Sequence, residues 1–127
     1  ADIARGRELM QAISPFDVGQ AVVIIDGHVV AVEDIEGTDG LLTRVARLRS
    51  EKRIRAKPGR GVLVKMPKVQ QDLRFDLPTL GPKTIDGVIA AGLSGIGIVA
   101  GHTLVAEADV MTAKADRAGV FVTGLPL

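Results

Sequence analysis

The sequence predicts a three-layer α/β domain that has a mixed β-sheet, two β-hairpins and flanking helices, with residues 1–127 forming a single domain. Three observations lead to this prediction. A length of 127 residues suits one domain. Runs of β-branched residues alternate with amphipathic segments, and two pairs of runs flank dipeptides typical of tight turns. Val, Ile and Leu number 16, 10 and 12, which is enough aliphatic surface for a core.

The first half of the chain begins with a helix and a hairpin. Ile3 to Ile13 has the apolar spacing of a short amphipathic helix, which Ser14-Pro15 ends. The β-branched runs Ala21 to Ile25 and Val29 to Val32 flank Asp26-Gly27, a dipeptide that favours a two-residue hairpin turn.

A second helix and a buried strand follow. Leu41 to Leu48 places its apolar residues on one helical face, and Thr38 or Asp39 is the predicted N-cap. Residues 56–61 read as a loop, and Gly61 to Met66 reads as a buried strand.

The second half predicts two helices and three strands. In order, they are a helix opened by Gly81-Pro82, strands over Ile96 to Ala100 and Thr103 to Ala106, a helix over Val110 to Ala118 closed by Gly119, and a strand over Val120 to Thr123. Gly101-His102 is predicted to join the first two strands as a hairpin. A shift of 74 residues places Gly27-His28 on Gly101-His102, which suggests internal duplication as a hypothesis.

Composition excludes several classes of function. There is no Cys, Trp or Tyr, which excludes a disulfide framework and a thiolate zinc site. The aromatic residues are Phe16, Phe75 and Phe121, too few to stack bases, so no nucleic-acid partner is expected. The apolar runs are far shorter than the roughly 20 residues of a membrane span, and no signal peptide is apparent. The absence of cysteine is consistent with a cytoplasmic protein.

The net charge of +1 conceals two charged segments. Between Asp26 and Asp39 there are five acidic residues and no Lys or Arg. Between Arg44 and Arg60 there are eight basic residues and one acidic residue, Glu51. The basic segment fits two interpretations. It is either a solvated helix face with a loop, or a rim that attracts an anionic ligand or an acidic lipid surface.

Serine and histidine chemistry is disfavoured. His28 and His102 fall in predicted turns, and nothing in the spacing supplies an orienting partner. Ser94 lacks the leading glycine of a nucleophile elbow. The glycines around it precede a strand instead of following one, so there is no dinucleotide fingerprint.

The segment Lys65 to Thr84 is the strongest candidate site. It leaves a buried strand and enters a helix, so it lies at the carboxyl end of a strand, where open α/β sheets bind ligands. Within twenty residues it holds four cations and two carboxylates: Lys65, Lys68, Arg74, Lys83, Asp72 and Asp76. Such a set suits Mg²⁺ held by carboxylates beside phosphates neutralised by Lys and Arg. It equally suits a surface loop held by ion pairs.

A resemblance favours the metal and phosphate interpretation. The runs KMPK at 65–68, QDLRFDLP at 71–78 and Gly81-Pro82, preceded by EGTD at 36–39, resemble the UDP-2,3-diacylglucosamine pyrophosphatases of lipid A biosynthesis. The type is the one of many alphaproteobacteria that lacks the metallophosphoesterase fold. The resemblance covers about residues 19–124, with Val69 where the family pattern has Pro. It implies that residues 1–127 are the C-terminal catalytic domain of a longer two-domain enzyme.

The resemblance implies hydrolysis of UDP-2,3-diacylglucosamine, with Mg²⁺, to UMP and 2,3-diacylglucosamine 1-phosphate (lipid X). Asp72 and Asp76 are then expected to bind the metal and activate water. Eight residues are expected to bind or surround the phosphates: Lys65, Lys68, Arg74, Lys83, Thr84, Glu36, Thr38 and Asp39. A cytoplasmic homodimer in transient contact with the inner membrane is expected. The alternative is a non-catalytic module for nucleotide or sugar-phosphate binding, or for dimerisation.

Overall fold

The computed structural model of the chain describes residues 1–16, 18–67, 79–99 and 104–125. Its helices and strands, in chain order, are α1 (Asp2–Ile13), β1 (Ala21–Ile25), β2 (His28–Val32), α2 (Gly37–Ser50), β3 (Val62–Lys65), β4 (Thr79–Leu80), α3 (Pro82–Ala90), β5 (Gly95–Val99), β6 (Leu104–Val105), α4 (Ala108–Ala118) and β7 (Phe121–Leu125). A short 3₁₀ turn, Ser14–Phe16, follows α1.

Five strands form one mixed sheet in the order β2-β1-β3-β5-β7. β1 lies antiparallel to both β2 and β3, whereas β3, β5 and β7 are parallel. β4 and β6 form a separate two-stranded parallel sheet. The predicted mixed α/β fold is confirmed.

Helices cover both faces of the five-stranded sheet. On one face, Met10 of α1 packs with the side chains of Val22 and Val64. On the other, α2, α3 and α4 bury a larger cluster that includes Val23 and Leu63. Adjacent residues of β1 and of β3 thus enter opposite layers, which explains why both strands are continuous apolar runs rather than alternating ones. The described chain contains no helix long and apolar enough to cross a membrane.

The first hairpin is confirmed. β1 and β2 pair through a two-residue turn, with His28 opposite Ile25. Asp26 and Gly27 have φ values of 50° and 77°, the left-handed conformation that such turns require. The carboxylate of Asp2 accepts hydrogen bonds from the backbone N–H groups of both turn residues, which ties α1 to the turn.

The second hairpin prediction is wrong. β5 is flanked by β3 on one side and β7 on the other, so both of its edges are occupied. β6 pairs with β4 instead. Gly101 and His102 lie outside the described residues. The duplication hypothesis therefore gains no support from the fold, because within the described residues only the first half of the chain contains such a hairpin.

The start of α2 also differs from the prediction. Glu36 is the N-cap residue, and Thr38 and Asp39 lie in the first turn. Thr38 lies inside the helix, where its hydroxyl donates to the Glu33 carboxylate. Two other predicted helix ends agree with the structure: Pro82 opens α3, and Gly119 ends α4 in the left-handed conformation with φ 68°.

Candidate functional site

One edge of the five-stranded sheet gathers the carboxyl ends of β2, β3, β5 and β7. The register shows this directly, because Ala21 at the start of β1 pairs with Lys65 at the end of β3, and Lys65 pairs with Ile98 near the end of β5. The first turns of α2 and α3 meet at the same edge, where Lys83 pairs with Asp39 at 3.6 Å. Helix N-termini carry partial positive charge, so this edge favours an anion. We call it the carboxyl edge.

Lys65 lies at the centre of the carboxyl edge and is nearly buried, with 6% of its surface exposed. Its Nζ donates a hydrogen bond of 2.7 Å to the carbonyl oxygen of Thr79. Burial lowers the pKa of the Lys65 ammonium, and the nearby charges of Glu33 and Asp39 partly oppose that shift. Lys65 and Thr79 flank the segment 66–78, so the chain enters and leaves that segment at this edge.

Glu33 was not predicted as a site residue, and it is the second buried charge of the carboxyl edge, with 8% exposed. Its Oε2 accepts a 2.9 Å hydrogen bond from the hydroxyl of Thr38. Its backbone N–H donates to the carbonyl of Ala21, which extends the β1–β2 ladder by one residue. A Cβ at Gly19 would overlap the carbonyl group of Glu33, so the absence of a side chain there permits the packing.

The other predicted residues near α2 and α3 have different surroundings. Glu36 pairs with Arg44 at 2.7 Å, two turns further along α2, so its charge is compensated within that helix. Thr84 is buried in the first turn of α3. The side chain of Lys83 is 85% exposed, which leaves it accessible to a ligand from solvent. The structure therefore brings together Lys65, Lys83, Thr38 and Asp39, with Glu33 added. Lys68, Asp72, Arg74 and Asp76 lie outside the described residues.

No group of three metal-ligating side chains occurs within the described ranges. Carboxylate oxygens are the ligands that Mg²⁺ prefers, but the nearby carboxylates already have partners: Thr38 for Glu33, Arg44 for Glu36 and Lys83 for Asp39. The described part of the edge thus does not form a magnesium site by itself. The expectation of Mg²⁺ rests on Asp72 and Asp76.

Comparison with known proteins gives the family. Residues 1–123 match the family described as the LpxI C-terminal domain. The chain belongs to this family. The UDP-2,3-diacylglucosamine pyrophosphatase LpxI of Caulobacter vibrioides is 45% identical to the chain over 125 residues, which cover 98% of the chain and 45% of that relative. The chain therefore spans less than half the length of this curated relative, and the resemblance found in the sequence is confirmed.

Most of the basic segment lies away from the carboxyl edge, although Arg44 contacts Glu36 and the carbonyl oxygen of Val32 there. Residues 51–61 connect the end of α2 to the start of β3, which is the opposite end of the sheet. There Arg49 donates to the carbonyl oxygens of Ala91 and Ala56, at 2.6 and 2.7 Å, and fastens this connection to the end of α3. Part of the basic segment therefore has a structural role.

Proposed function

We propose that this chain is the catalytic C-terminal domain of a UDP-2,3-diacylglucosamine pyrophosphatase and that it binds the diphosphate at the carboxyl edge. The products are UMP and 2,3-diacylglucosamine 1-phosphate. The observation that carries the proposal is the 45% identity, over nearly the whole chain, to a protein named for that activity. The carboxyl edge supports it, since it combines an exposed cation, Lys83, with two helix N-termini.

The described residues suggest a division of roles. Lys83 is the cation that reaches the diphosphate, because its side chain is exposed beside the first turn of α3. Lys65 and Glu33 are positioning residues, because both are buried and are held by Thr79 and Thr38. In the proposed reaction, water attacks one phosphorus and the P–O bond to the bridging oxygen breaks. The bridging oxygen leaves with the other phosphate, and water supplies the oxygen of the new phosphate group.

Magnesium is part of the proposal through Asp72 and Asp76, whose carboxylates are the expected ligands. When bound, the ion would neutralise charge on the diphosphate. Removal of divalent metal with a chelator should then abolish UMP release, and added Mg²⁺ should restore it. Full activity in the chelated, metal-free protein would overturn this part of the proposal and leave the hydrolysis itself intact.

The direct test is UMP release from UDP-2,3-diacylglucosamine, measured for the 127-residue chain and for the full-length protein. We expect turnover by the full-length protein. Turnover by the 127-residue chain alone would show that the carboxyl edge is complete without further residues. If neither protein releases UMP and calorimetry shows metal-independent UMP binding, the non-catalytic alternative is correct.

We further propose that the protein is a homodimer. β7 is an edge strand, and no strand pairs with its outer side in the described chain. Val122 on β7 is partly exposed, and unpaired strand edges readily pair with a second copy. Sedimentation equilibrium should give twice the chain mass of 13.3 kDa. A single species at 13.3 kDa at micromolar concentration would overturn the dimer for this chain.

Transient contact with the inner membrane completes the proposal, since an acylated substrate would be taken from a lipid phase. Its support is the exposed part of the basic segment, including Lys52 and Lys57. Binding to vesicles that contain anionic lipid should weaken as salt rises. Binding that does not depend on lipid charge would contradict an electrostatic contact.

A further inference from the structure

A groove of about 430 Å³ opens at the end of the sheet opposite Lys65, between the β1–β2 turn and the connection that follows α2. β1 runs from Ala21, which pairs with Lys65, to Ile25, which lines the groove. These residues are four positions apart in an extended strand, a distance of roughly 13 Å. The groove is therefore remote from the carboxyl edge, and the proposed hydrolysis does not involve it.

The floor of the groove is apolar. Ile25 of the main core lies there with Val30, Ile54 and Ala56, which pack against that core, and Leu48 also lines the groove. Ile25 is buried and the other four are half-buried, so aliphatic carbon faces the open space. A ligand with an apolar part would gain free energy by covering this surface.

Cations without carboxylate partners form the rim. Four of the eight bases between residues 44 and 60 are engaged in contacts: Arg44 with Glu36, Arg47 with Glu51, Arg49 with backbone carbonyls, and Arg60 with Asp26. The other four are exposed, and no carboxylate contacts them within the described ranges: Lys52, Arg53, Arg55 and Lys57. Of these, Arg53 and Arg55 line the groove, together with His28.

The acidic group at the groove does not cancel this charge. Asp26 is the one carboxylate among the lining residues, and Arg60 binds it at 2.7 Å. Arg53 and Arg55 therefore remain as uncompensated positive charge beside an apolar floor. A negatively charged ligand is the complement of such a groove.

The backbone fixes the positions of the two arginines. The N–H of Lys52 donates to the carbonyl of Arg49 at 3.0 Å, and the N–H of Arg53 donates to that of Leu48 at 2.9 Å. This pair of bonds, with Lys52 left-handed at φ 60°, is a Schellman motif that turns the chain sharply out of α2. Ile54 then packs against the core, while Arg53 and Arg55 on either side of it are exposed. The rim is thus built by a defined helix ending.

We propose that this groove binds an organic phosphate or carboxylate that carries an apolar group. The planar guanidinium groups of Arg53 and Arg55 suit a phosphate or carboxylate, which each can bind through two parallel hydrogen bonds. The floor accepts the apolar group, and the volume lies within the usual range for small-molecule sites. The proposal is independent of the proposed pyrophosphatase function.

Three probes separate the two parts of the site: hexyl phosphate carries both features, inorganic phosphate only the charge, and hexanol only the chain. The readout is ¹H NMR of the histidine rings in the 127-residue chain, which has two histidines, His28 and His102. The variant His28→Gln assigns the signals. We expect hexyl phosphate to shift the His28 signals saturably. The other two probes should bind at least about tenfold more weakly. No saturable shift of His28 would overturn the proposal.

Paired variants test the rim. The double substitution Arg53→Gln/Arg55→Gln should weaken the binding of hexyl phosphate at least about tenfold. Arg47→Gln/Arg117→Gln removes the same charge from exposed positions outside the groove and should bind as the wild type does. Equal losses in both pairs would overturn a specific site, because charge in general would then explain the binding.

Vesicles of phosphatidylcholine with phosphatidylglycerol distinguish a free ligand from a lipid headgroup. Vesicle binding that hexyl phosphate competes away would support the same groove with a lipid as the source of the phosphate. Hexyl phosphate binding without vesicle binding would support a soluble ligand. If the chain binds vesicles but not hexyl phosphate, the proposed ligand site in the groove is wrong. The basic segment would then be a diffuse membrane-binding surface.

Discussion

The Nζ of Lys65 and the carbonyl oxygen of Thr79 are joined by a 2.7 Å hydrogen bond that brings together two positions 14 residues apart in the chain. The contact holds Lys65, which precedes the segment 66–78, beside Thr79, which follows it. Because Lys65 is almost fully buried, this hydrogen bond forms where water competes little. Lys65 therefore contributes to the site by positioning backbone as well as by charge.

Lys65→Met should destabilise the chain by about 1–3 kcal/mol, because it leaves the Thr79 carbonyl without its donor and Glu33 without a nearby positive charge. Urea unfolding followed by circular dichroism measures the change. Lys83→Met is the matched control. Its ammonium is exposed and makes a 3.6 Å ion pair, so the change should stay within about 0.5 kcal/mol. Equal effects of the two substitutions would contradict the role given to Lys65.

The stability of the folded chain should rise with pH in the alkaline range because of Lys65. Burial lowers its folded-state pKa below the ordinary value of 10.5. Between the lowered pKa and 10.5 the unfolded chain binds more protons than the folded chain, so the free energy of unfolding increases with pH.

Comparison with Lys65→Met isolates that effect. The difference in unfolding free energy between wild type and variant should grow in favour of the wild type as the pH approaches 10.5. A difference that shrinks over this range would mean that the Lys65 pKa is raised in the folded chain.

Thr38→Val should cost about 1.5–3 kcal/mol, because the buried Glu33 carboxylate loses a hydrogen bond from the hydroxyl. Thr43→Val on the same helix is the control. Its exposed hydroxyl donates to the Asp39 carbonyl within the helix, so removal should change stability by less than about 0.5 kcal/mol. Thermal unfolding of both variants provides the comparison, and similar melting temperatures would refute a buried Glu33–Thr38 pair.

Gly19→Ala should destabilise the chain by about 1–3 kcal/mol, because the new methyl group would overlap the Glu33 carbonyl and push Glu33 from its position. Gly81→Ala is a suitable comparison, since its nearest contact would be an ordinary 3.4 Å to Ala106. We expect it to cost less than about 1 kcal/mol. Chemical denaturation distinguishes the two. A neutral Gly19→Ala would mean that the strand end at Glu33 is not tightly packed.

Local signals account for most of the elements that the sequence predicts correctly. The β1–β2 hairpin follows from Asp26-Gly27 alone, because that dipeptide adopts the left-handed turn without help from distant residues. Gly101-His102 suggests the same structure locally. The two turns differ because of a non-local contact. β7, from the end of the chain, pairs with the side of β5 where a hairpin partner would have to lie.

For the site residues too, the sequence predicts those that have a local signal and misses those that depend on distant residues. Lys65 and Lys83 are predictable because each lies at the end of a strand or the start of a helix with a clear local pattern. Glu33 is not predictable from the sequence, because it is one of five acidic residues between Asp26 and Asp39. Its burial depends on Gly19, far away in the chain, and on Lys65 beside it. An acidic residue directly after an apolar strand was the only local signal.

The most direct measurement of the central claim, that the carboxyl edge binds the diphosphate, is kcat/KM for UMP release by the full-length protein carrying Lys83→Gln. Arg117→Gln is the control, because it removes an exposed cation from the last turn of α4, away from this edge. We expect Lys83→Gln to lower kcat/KM about 10–100-fold, the loss of one charge-assisted hydrogen bond, and Arg117→Gln to leave it unchanged. A wild-type kcat/KM for Lys83→Gln in the active protein would contradict the assignment of the diphosphate to this edge.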